Sequence, residues 1–197
     1  MVDVVEDDAA MRDALLLLLA SSGIQARGFA SAEEFLRSED PTDCACLLTD
    51  VRLPGMDGLS LHRRLLALGA EPAVVMITGH GDIAMAVAAL KAGALDFVEK
   101  PFDPAVLLDS VRAALRQASD IRRRRAAARE AERRLRALTD REKEILELLV
   151  QGHANKTVAA KLGISIRTAE HHRASIMEKT SARSLSQLLK MALRLPG

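Results

Sequence analysis

The sequence predicts two domains: an α/β domain built on a doubly wound, five-stranded parallel sheet, followed by an all-α domain of four helices. Residues 1–117 alternate short apolar runs with amphipathic helical patterns, whereas residues 138–197 contain no strand pattern. The two parts also differ in charge, because residues 1–117 contain 18 acidic and 10 basic residues and residues 118–197 contain 9 and 18. This asymmetry indicates different partners, with nucleic acid expected for the basic part.

The strands and helices of the first domain follow one another in strict alternation. We expect strands over residues 2–5, 25–29, 44–49, 73–77 and 95–98, and helices over residues 9–22, 31–38, 58–69, 82–92 and from near residue 103 onward. Five such units predict parallel strands with helices on both faces of the sheet. In doubly wound sheets, ligands bind beyond the carboxyl ends of the strands, where the strand order reverses.

Polar side chains follow several of these predicted strands. Glu6 and Asp7 end the first strand, Asp50 ends the third, and Thr78 and Lys100 follow the fourth and fifth. Converging carboxylates repel one another unless a cation neutralises them, and oxygen ligands suit Mg²⁺. Lys100 and Thr78 are then placed to hold an anion. An ionised carboxylate beside Mg²⁺ can attack phosphorus, so the pattern predicts an aspartyl phosphate at Asp50.

Composition excludes several other classes of protein. A hydrophobic content of 49% supports a packed core. Cys44 and Cys46 are too few for a zinc site and form no C-x-x-C motif, so they are interpreted as reduced structural thiols. No apolar run approaches the roughly 18 residues that span a bilayer, and no targeting segment is visible. We expect a cytoplasmic protein without a membrane partner.

The basic part carries the pattern of a helix-turn-helix. Thr139 and Glu142 form a capping box that starts one helix, and Gly152 ends it. A second helix stops at Gly163, Ser165 caps a third, and a fourth is expected over residues 185–195. A short helix, a glycine-containing turn and a capped helix predict that the third helix enters the major groove of DNA.

Residues 118–137 are expected to form a helical linker that continues the fifth helix of the first domain. The segment is rich in arginine and alanine and lacks glycine and proline. Residues with 3,4 spacing that could form a coiled-coil seam are Val111, Ala114, Ala118, Ile121, Arg125, Ala128, Glu132 and Leu135. A solvated single helix is an equal alternative, and the arginines at 122–125 could also contact DNA phosphates.

Four segments of the first domain resemble the receiver domain of response regulators: VVEDD, LLTDVRLPGMDG, VVMITGHGD and DFVEKPF. The resemblance covers residues 1–117 and implies the strand order 2-1-3-4-5. It implies that Asp50 is the phosphoacceptor, and that Glu6, Asp7, Asp50 and the backbone carbonyl of Arg52 hold Mg²⁺ or Mn²⁺. Glu6 stands where the family commonly has aspartate, and its longer side chain should preserve metal binding.

The same resemblance assigns the remaining polar positions. Thr78 and Lys100 would contact the phosphoryl oxygens, and Phe97 stands where the family keeps its switch aromatic. Asp8 is interpreted as the cap of the first helix and not as a metal ligand. Taken singly, each residue has an ordinary structural alternative, such as a surface lysine or a core phenylalanine; together and in order they favour the phosphorylation site.

The second domain resembles the LuxR-type DNA-binding domain in the segments LTDREKEIL, GHANKTVAAKLGIS and RTAEHHRASIMEK. The whole chain is thus similar to response regulators of the FixJ/NarL class. Candidate DNA contacts are Lys156, Arg167, Thr168, Glu170, His171, Arg173 and Ala174. His172 is interpreted as a core residue. Ala169 replaces the usual valine or isoleucine of the family, which predicts looser packing of the recognition helix.

These observations predict a transcriptional regulator that a histidine kinase phosphorylates and that binds double-stranded DNA as a homodimer. A stripe of apolar residues on the last helix is the expected dimerisation surface: Leu185, Leu188, Leu189 and Ala192, extended by Leu193. The alternative is a phosphorelay or protein-interaction module without DNA output, which the basic second domain disfavours. An enzyme is not expected, because no nucleophile and base pair is visible beyond the receiver site.

Overall fold

The computed structural model of the chain describes residues 1–38, 40–79 and 83–193. The chain divides into two compact units, Met1–Ile121 and Arg122–Gly197. The division falls inside the segment predicted as a helical linker. Among the described residues, no helix is both long and apolar enough to cross a membrane.

Five parallel strands form the sheet of the first unit: β1 (Val2–Val5), β2 (Ala26–Phe29), β3 (Cys46–Asp50), β4 (Ala73–Thr78) and β5 (Asp96–Glu99). Their order is β2-β1-β3-β4-β5, which confirms the expected 2-1-3-4-5 topology. The order reverses between β1 and β3, so the carboxyl ends of these two strands flank the crevice where doubly wound sheets bind ligands.

The strands are connected by α1 (Ala9–Ser21), α2 (Ala32–Leu36), α3 (Gly58–Ala67) and α4 (Ile83–Lys91), with a 3₁₀ turn at Pro41–Asp43. Helix α5 (Pro104–Arg136) follows β5 and extends beyond the end of the first unit at Ile121. Asp8 caps α1 through the backbone N–H of Met11, as predicted. Ser31 and Asp57 cap α2 and α3 in the same way. Helix α2 is shorter than the predicted helix over residues 31–38. It ends at Leu36, and the 3₁₀ turn follows at Pro41–Asp43.

The sheet is buried on both faces, as a parallel sheet requires. On one face, Leu47 and Val74 pack with α2 and α3 residues such as Phe35. On the other face, Leu48 and Val75 pack with α1 and α5 residues; the latter include Leu107 and Val111. Neighbouring residues of one strand thus face opposite layers.

The second unit contains α6 (Asp140–Val150), α7 (Asn155–Leu162), α8 (Ile166–Thr180) and α9 (Leu185–Ala192). Their apolar sides form one core around Ile145, Val158, Ile176 and Leu188. Helix α5 runs to Arg136 and so includes residues 118–136 of the segment predicted as a linker. The four-helix architecture after α5 is the predicted one.

Candidate functional site

The predicted polar residues of the receiver-like unit lie at the carboxyl edge of the sheet. Asp50 is the last residue of β3 and Thr78 the last of β4, while Lys100 follows β5. Glu6 directly follows β1. The parallel arrangement brings these four residues to the same edge, because all the strands point the same way.

Lys100 joins the carboxylates of two strands. Its Nζ lies 2.8 Å from Oε2 of Glu6 and 2.5 Å from Oδ2 of Asp50. Burial raises the pKa of the Glu6 carboxyl, which is 1% exposed, although Lys100 opposes this shift. Burial disfavours the charged form of Lys100, but its hydrogen bonds to Asp50 and Glu6 outweigh this effect and raise its pKa. A single ammonium group therefore compensates two carboxylates.

The backbone around Asp50 is tightly constrained. Its Oδ1 accepts a hydrogen bond of 2.7 Å from the backbone N–H of Arg52. The hydroxyl of Thr49 donates to the carbonyl of Asp50, and the N–H of Gly58 donates to the carbonyl of Val51. A Cβ atom at Gly58 would overlap the carbonyl oxygen of Asp50, so only glycine fits this close approach.

Arg12 of α1 holds the loop that carries the acidic pair. Its Nη1 donates to the carbonyl of Glu6 at 2.7 Å and to that of Asp7 at 3.4 Å. A Cβ atom at Gly28 would lie 3.1 Å from Cδ of Arg12, so the absence of a side chain there leaves room for the arginine stem. This role of Arg12 was not predicted from the sequence, where the available signal was a basic residue one turn into the helix.

The oxygen donors at this edge fit a hard divalent cation in type. The structure gathers Glu6 and Asp50 around Lys100, whereas Asp7 is exposed. Within residues 1–38, 40–79 and 83–193, no cluster of three carboxylate, histidine or cysteine ligands is assembled. The fit to Mg²⁺ is therefore one of donor type: Glu6 and Asp50 would hold the ion, with Asp7 and the Arg52 carbonyl as the further ligands expected from the sequence.

Thr78 and Phe97 differ in their exposure. Thr78 is buried, and its hydroxyl donates to the carbonyl of Gly79 at 3.2 Å. The Phe97 ring on β5 is 38% exposed. The predicted switch aromatic therefore lies at the surface in this structure.

The second unit presents a helix-turn-helix formed by α7 and α8. Gly163 ends α7 with φ of 65°, a left-handed conformation that favours glycine, and the Ser165 hydroxyl caps α8. The predicted contact residues Arg167, Thr168, Glu170, His171 and Ala174 on α8 and Lys156 on α7 are exposed.

Two of the predicted DNA contacts also have partners within the unit. The Thr168 hydroxyl lies 2.8 Å from that of Ser165, as part of the cap of α8. Arg173 is half-buried, with Nη1 at 3.4 Å from Oδ1 of Asn155. His172 was expected to be a core residue, but it is only half-buried. Its position lies at the border of the buried side of α8. Ala169 is buried, in the core of the unit.

The structure corrects the predicted dimerisation surface in one respect. Leu188 is fully buried in the core of its own unit, so its side chain is not available to a second copy. Leu185 and Ala192 are half-buried and pack against the same core, while Leu193 is exposed. The stripe is thus mainly the inner face of α9, because an apolar stripe on a terminal helix first serves the core of its domain.

Glu142 forms a second buried carboxylate cluster, and the sequence revealed only its capping role. The predicted capping box with Thr139 is present. Both carboxylate oxygens also lie 2.8 Å from Nζ of Lys179, and Oε1 accepts from the hydroxyl of Ser175 at 2.7 Å. Burial opposes ionisation, but these hydrogen bonds lower the pKa of Glu142 to about 2.

Comparison with known families agrees with both units. The family described as "Response regulator receiver domain" matches residues 2–112, and the family described as "Bacterial regulatory proteins, luxR family" matches residues 136–192. The transcriptional regulatory protein FixJ of Azorhizobium caulinodans is 48% identical over 98% of this chain and 91% of its own length. The response regulator protein TodT of Pseudomonas putida is 40% identical over 98% and 85%, respectively.

Solved structures give the same assignment. The response regulator StyR is 39% identical with a TM-score of 0.86, over 98% of both chains. Full-length FixJ from B. japonicum is 40% identical with a TM-score of 0.60, over 98% of this chain and 95% of the other. The chain therefore belongs to the two-component response regulators that join a receiver domain to a LuxR-type DNA-binding domain and act as transcriptional regulators.

Proposed function

We propose that Asp50 accepts a phosphoryl group from a histidine kinase and that this modification controls DNA binding by the second domain. The observation that carries the proposal is the bridge from Lys100 to both Asp50 and Glu6 at the carboxyl edge of the sheet. In this position the ammonium group can stabilise charge on an incoming phosphoryl group.

The transfer requires an oxygen of Asp50 to attack phosphorus while the bond from phosphorus to the kinase histidine nitrogen breaks and imidazole leaves. The Arg52 N–H fixes Oδ1 of Asp50, and Lys100 contacts Oδ2. Glu6, Asp7, Asp50 and the Arg52 carbonyl would hold Mg²⁺ (or Mn²⁺), which supplies charge neutralisation for the phosphoryl oxygens. Thr78 and Lys100 would bind these oxygens, and Phe97 would respond as the switch aromatic.

The exposed residues of α8 support a DNA-reading role. Arg167, Glu170, His171 and Ala174 recur at helical spacing on the solvent side of the helix, as base contacts require. Lys156, Arg173 and Thr168 are assigned to phosphate and neighbouring contacts, which fix register more than sequence. Phosphorylation would favour a homodimer in the cytoplasm; of the remaining members of the α9 stripe, Leu193 is exposed and Leu189 is half-buried.

The phosphorylation site is tested by incubating the protein with acetyl phosphate, with and without EDTA, and measuring the intact mass. We expect one added phosphoryl group that requires Mg²⁺ or Mn²⁺, is absent in Asp50→Asn and is retained in Asp13→Asn, whose carboxylate lies exposed on α1. Modification of Asp50→Asn at the rate of the wild type would refute the assignment.

The DNA interface is tested by titrating variants of α7 and α8 with operator and mixed DNA. We expect Glu170→Ala or His171→Ala to change preference at one or two base pairs by about 1–3 kcal/mol. Lys156→Ala should weaken binding to all sequences and reduce the salt dependence. An equal, uniform loss in all of these variants would contradict the proposed orientation of α8.

A further inference from the structure

The loop between β3 and α3, residues 51–57, borders the phosphorylation site. It begins directly after Asp50 and carries Arg52, whose carbonyl is an expected metal ligand. Val51 and Leu53 are buried, and the Val51 N–H donates to the carbonyl of Ile77 at 2.8 Å. The conformation of this loop therefore sets the positions of Asp50 and of the Arg52 carbonyl together.

A carboxylate from α2 reaches the middle of the loop. Oε1 of Glu33, in the first turn of α2, accepts a hydrogen bond of 2.9 Å from the backbone N–H of Met56, 23 residues away. The backbone N–H groups of Glu33 itself and of Met56 lower the pKa of this carboxyl, so it is ionised at neutral pH. Glu33 thus connects α2 to the loop by a charge-assisted hydrogen bond.

The neighbouring residue, Gly55, lies close to the Glu33 carboxylate. Gly55 has φ of 76°, and a Cβ atom built on it would lie 2.7 Å from Oε1 of Glu33. The left-handed φ requires glycine at position 55, and a Cβ atom there would also displace the carboxylate end of the Glu33 side chain. Two independent features, the Met56 hydrogen bond and the close approach of Gly55, place the Glu33 carboxylate as a support of this turn.

We propose that Glu33 is a positioning residue for phosphorylation: by holding the loop at Gly55 and Met56, it keeps the Asp50 carboxylate and the Arg52 carbonyl in the arrangement that binds the metal. The inference rests on the proposed phosphorylation of Asp50. Glu33 is exposed to solvent, so its hydrogen bond adds little to the stability of the whole domain. Its loss should instead change the population of the competent loop conformation.

Glu34 provides a matched control on the same helix. Its Oε2 accepts from the backbone N–H of Ala30 at 2.6 Å, next to the Ser31 cap of α2. Glu34→Ala removes one carboxylate and weakens α2 without removing the Met56 contact, whereas Glu33→Ala removes that contact. Glu33→Gln removes the charge but keeps an amide oxygen that can accept from Met56.

The kinetic experiment measures the rate of modification of the full chain by acetyl phosphate as a function of Mg²⁺ concentration. Glu33→Ala should raise the Mg²⁺ concentration for half-maximal rate by about 3- to 10-fold, the range expected for one lost hydrogen bond. Glu33→Gln should stay within about 2-fold of the wild type, as should Glu34→Ala. Direct Mn²⁺ titration by electron paramagnetic resonance should give the same order without requiring phosphoryl transfer.

A spectroscopic readout tests the contact itself. The amide proton of Met56 should titrate with the Glu33 carboxyl in the wild type and move upfield in Glu33→Ala, while Glu34→Ala leaves it unchanged. Gly55→Ala should slow modification in the wild-type background and less so with Glu33→Ala, because the overlap with Oε1 is then relieved.

The outcomes separate this inference from the proposed function. If the wild type is modified in a Mg²⁺-dependent manner and Glu33→Ala shows the same Mg²⁺ dependence, Glu33 does not position the site although Asp50 is the phosphoacceptor. An equal effect of Glu33→Ala and Glu34→Ala would also overturn the inference, because it would trace the defect to α2 as a whole. Lack of any modification of the wild type would overturn the proposed function and the inference with it.

Discussion

The two domains each contain a buried carboxylate cluster built around a lysine, and the clusters differ in their charge balance. In the receiver domain, Glu6 and Asp50 share Lys100. In the DNA-binding domain, the Glu142 carboxylate pairs with Lys179 and also accepts hydrogen bonds from Ser175 and Thr139. The pKa of Glu6 is raised by burial, whereas that of Glu142 is lowered to about 2.

By its charge balance, the receiver cluster is suited to bind further ligands, whereas the Glu142 cluster is a structural contact. The Glu142 carboxylate has hydrogen-bond donors for both oxygens and one cation, so no further charge is required. Among the residues that the structure describes, the receiver cluster pairs two carboxylates with one ammonium group, that of Lys100. A divalent cation would add positive charge there, and an added phosphoryl group would then have cations around it.

The largest effect is expected when the balanced cluster is broken. Glu142→Ala removes the Glu142 half of the capping box of α6 and leaves Lys179 and Ser175 without their shared partner, so we expect a loss of about 3 kcal/mol in the stability of the DNA-binding domain. Hydrogen exchange of peptides within residues 140–180 measures it. Glu142→Gln, which keeps an acceptor for Thr139, should lose less; equal losses would show that the neutral acceptor contributes nothing and that the ion pair carries the whole effect.

A smaller effect that depends on metal is expected in the receiver cluster. Lys100→Met leaves Glu6 and Asp50 without their shared cation, and should lower the stability of the receiver domain by about 2 kcal/mol in EDTA. Because the carboxylates can bind Mg²⁺, millimolar Mg²⁺ should restore part of this stability. Thermal unfolding with and without Mg²⁺ checks the prediction. If Lys100→Met loses the same stability under both conditions, Mg²⁺ does not take the place of the missing ammonium group.

Lys179→Met is the matched variant in the other domain. The Lys179 side chain is 37% exposed, so solvent replaces part of its contact, and we expect a loss of about 1 kcal/mol. Mg²⁺ should not restore it, since Glu142 retains Thr139 and Ser175. Rescue of this variant by Mg²⁺ would remove the distinction between the two clusters.

Acid should remove the contribution of the Glu142 charge gradually, without a substitution. The folded pKa of Glu142, about 2, lies below the ordinary value of 4.5, so its contribution to stability is fully present above pH 4.5 and is lost as the pH falls towards 2. Between these values the wild-type DNA-binding domain should lose stability more steeply than Glu142→Gln. Equilibrium unfolding of both proteins at several pH values measures the slopes, and parallel slopes would show that another group titrates.

The sequence predicted the residues that occupy strand ends and helix caps. Asp50, Thr78 and Lys100 were identifiable because each directly follows or ends an apolar run, and parallel strands bring their carboxyl ends together. The capping box of Thr139 and Glu142 was identifiable because its spacing is fixed by the helix.

The contacts that the sequence did not predict join residues through tertiary structure. Lys179 meets Glu142 across 37 positions, and Glu33 meets Met56 across 23, at distances set by helix packing and by a loop conformation. The apolar stripe on α9 predicted a surface, but Leu188 is buried, because periodicity identifies an apolar face without identifying what covers it.

The way α8 is held has a consequence for redesigning the regulator. Ala169, Ile176 and Thr180 are buried, and Ser175 and Lys179 bind Glu142. The exposed positions 167, 170, 171 and 174 lie outside this set of anchors. With these four positions reading bases as proposed, exchanging their side chains would change the preferred operator without removing the contacts that hold α8 in its domain.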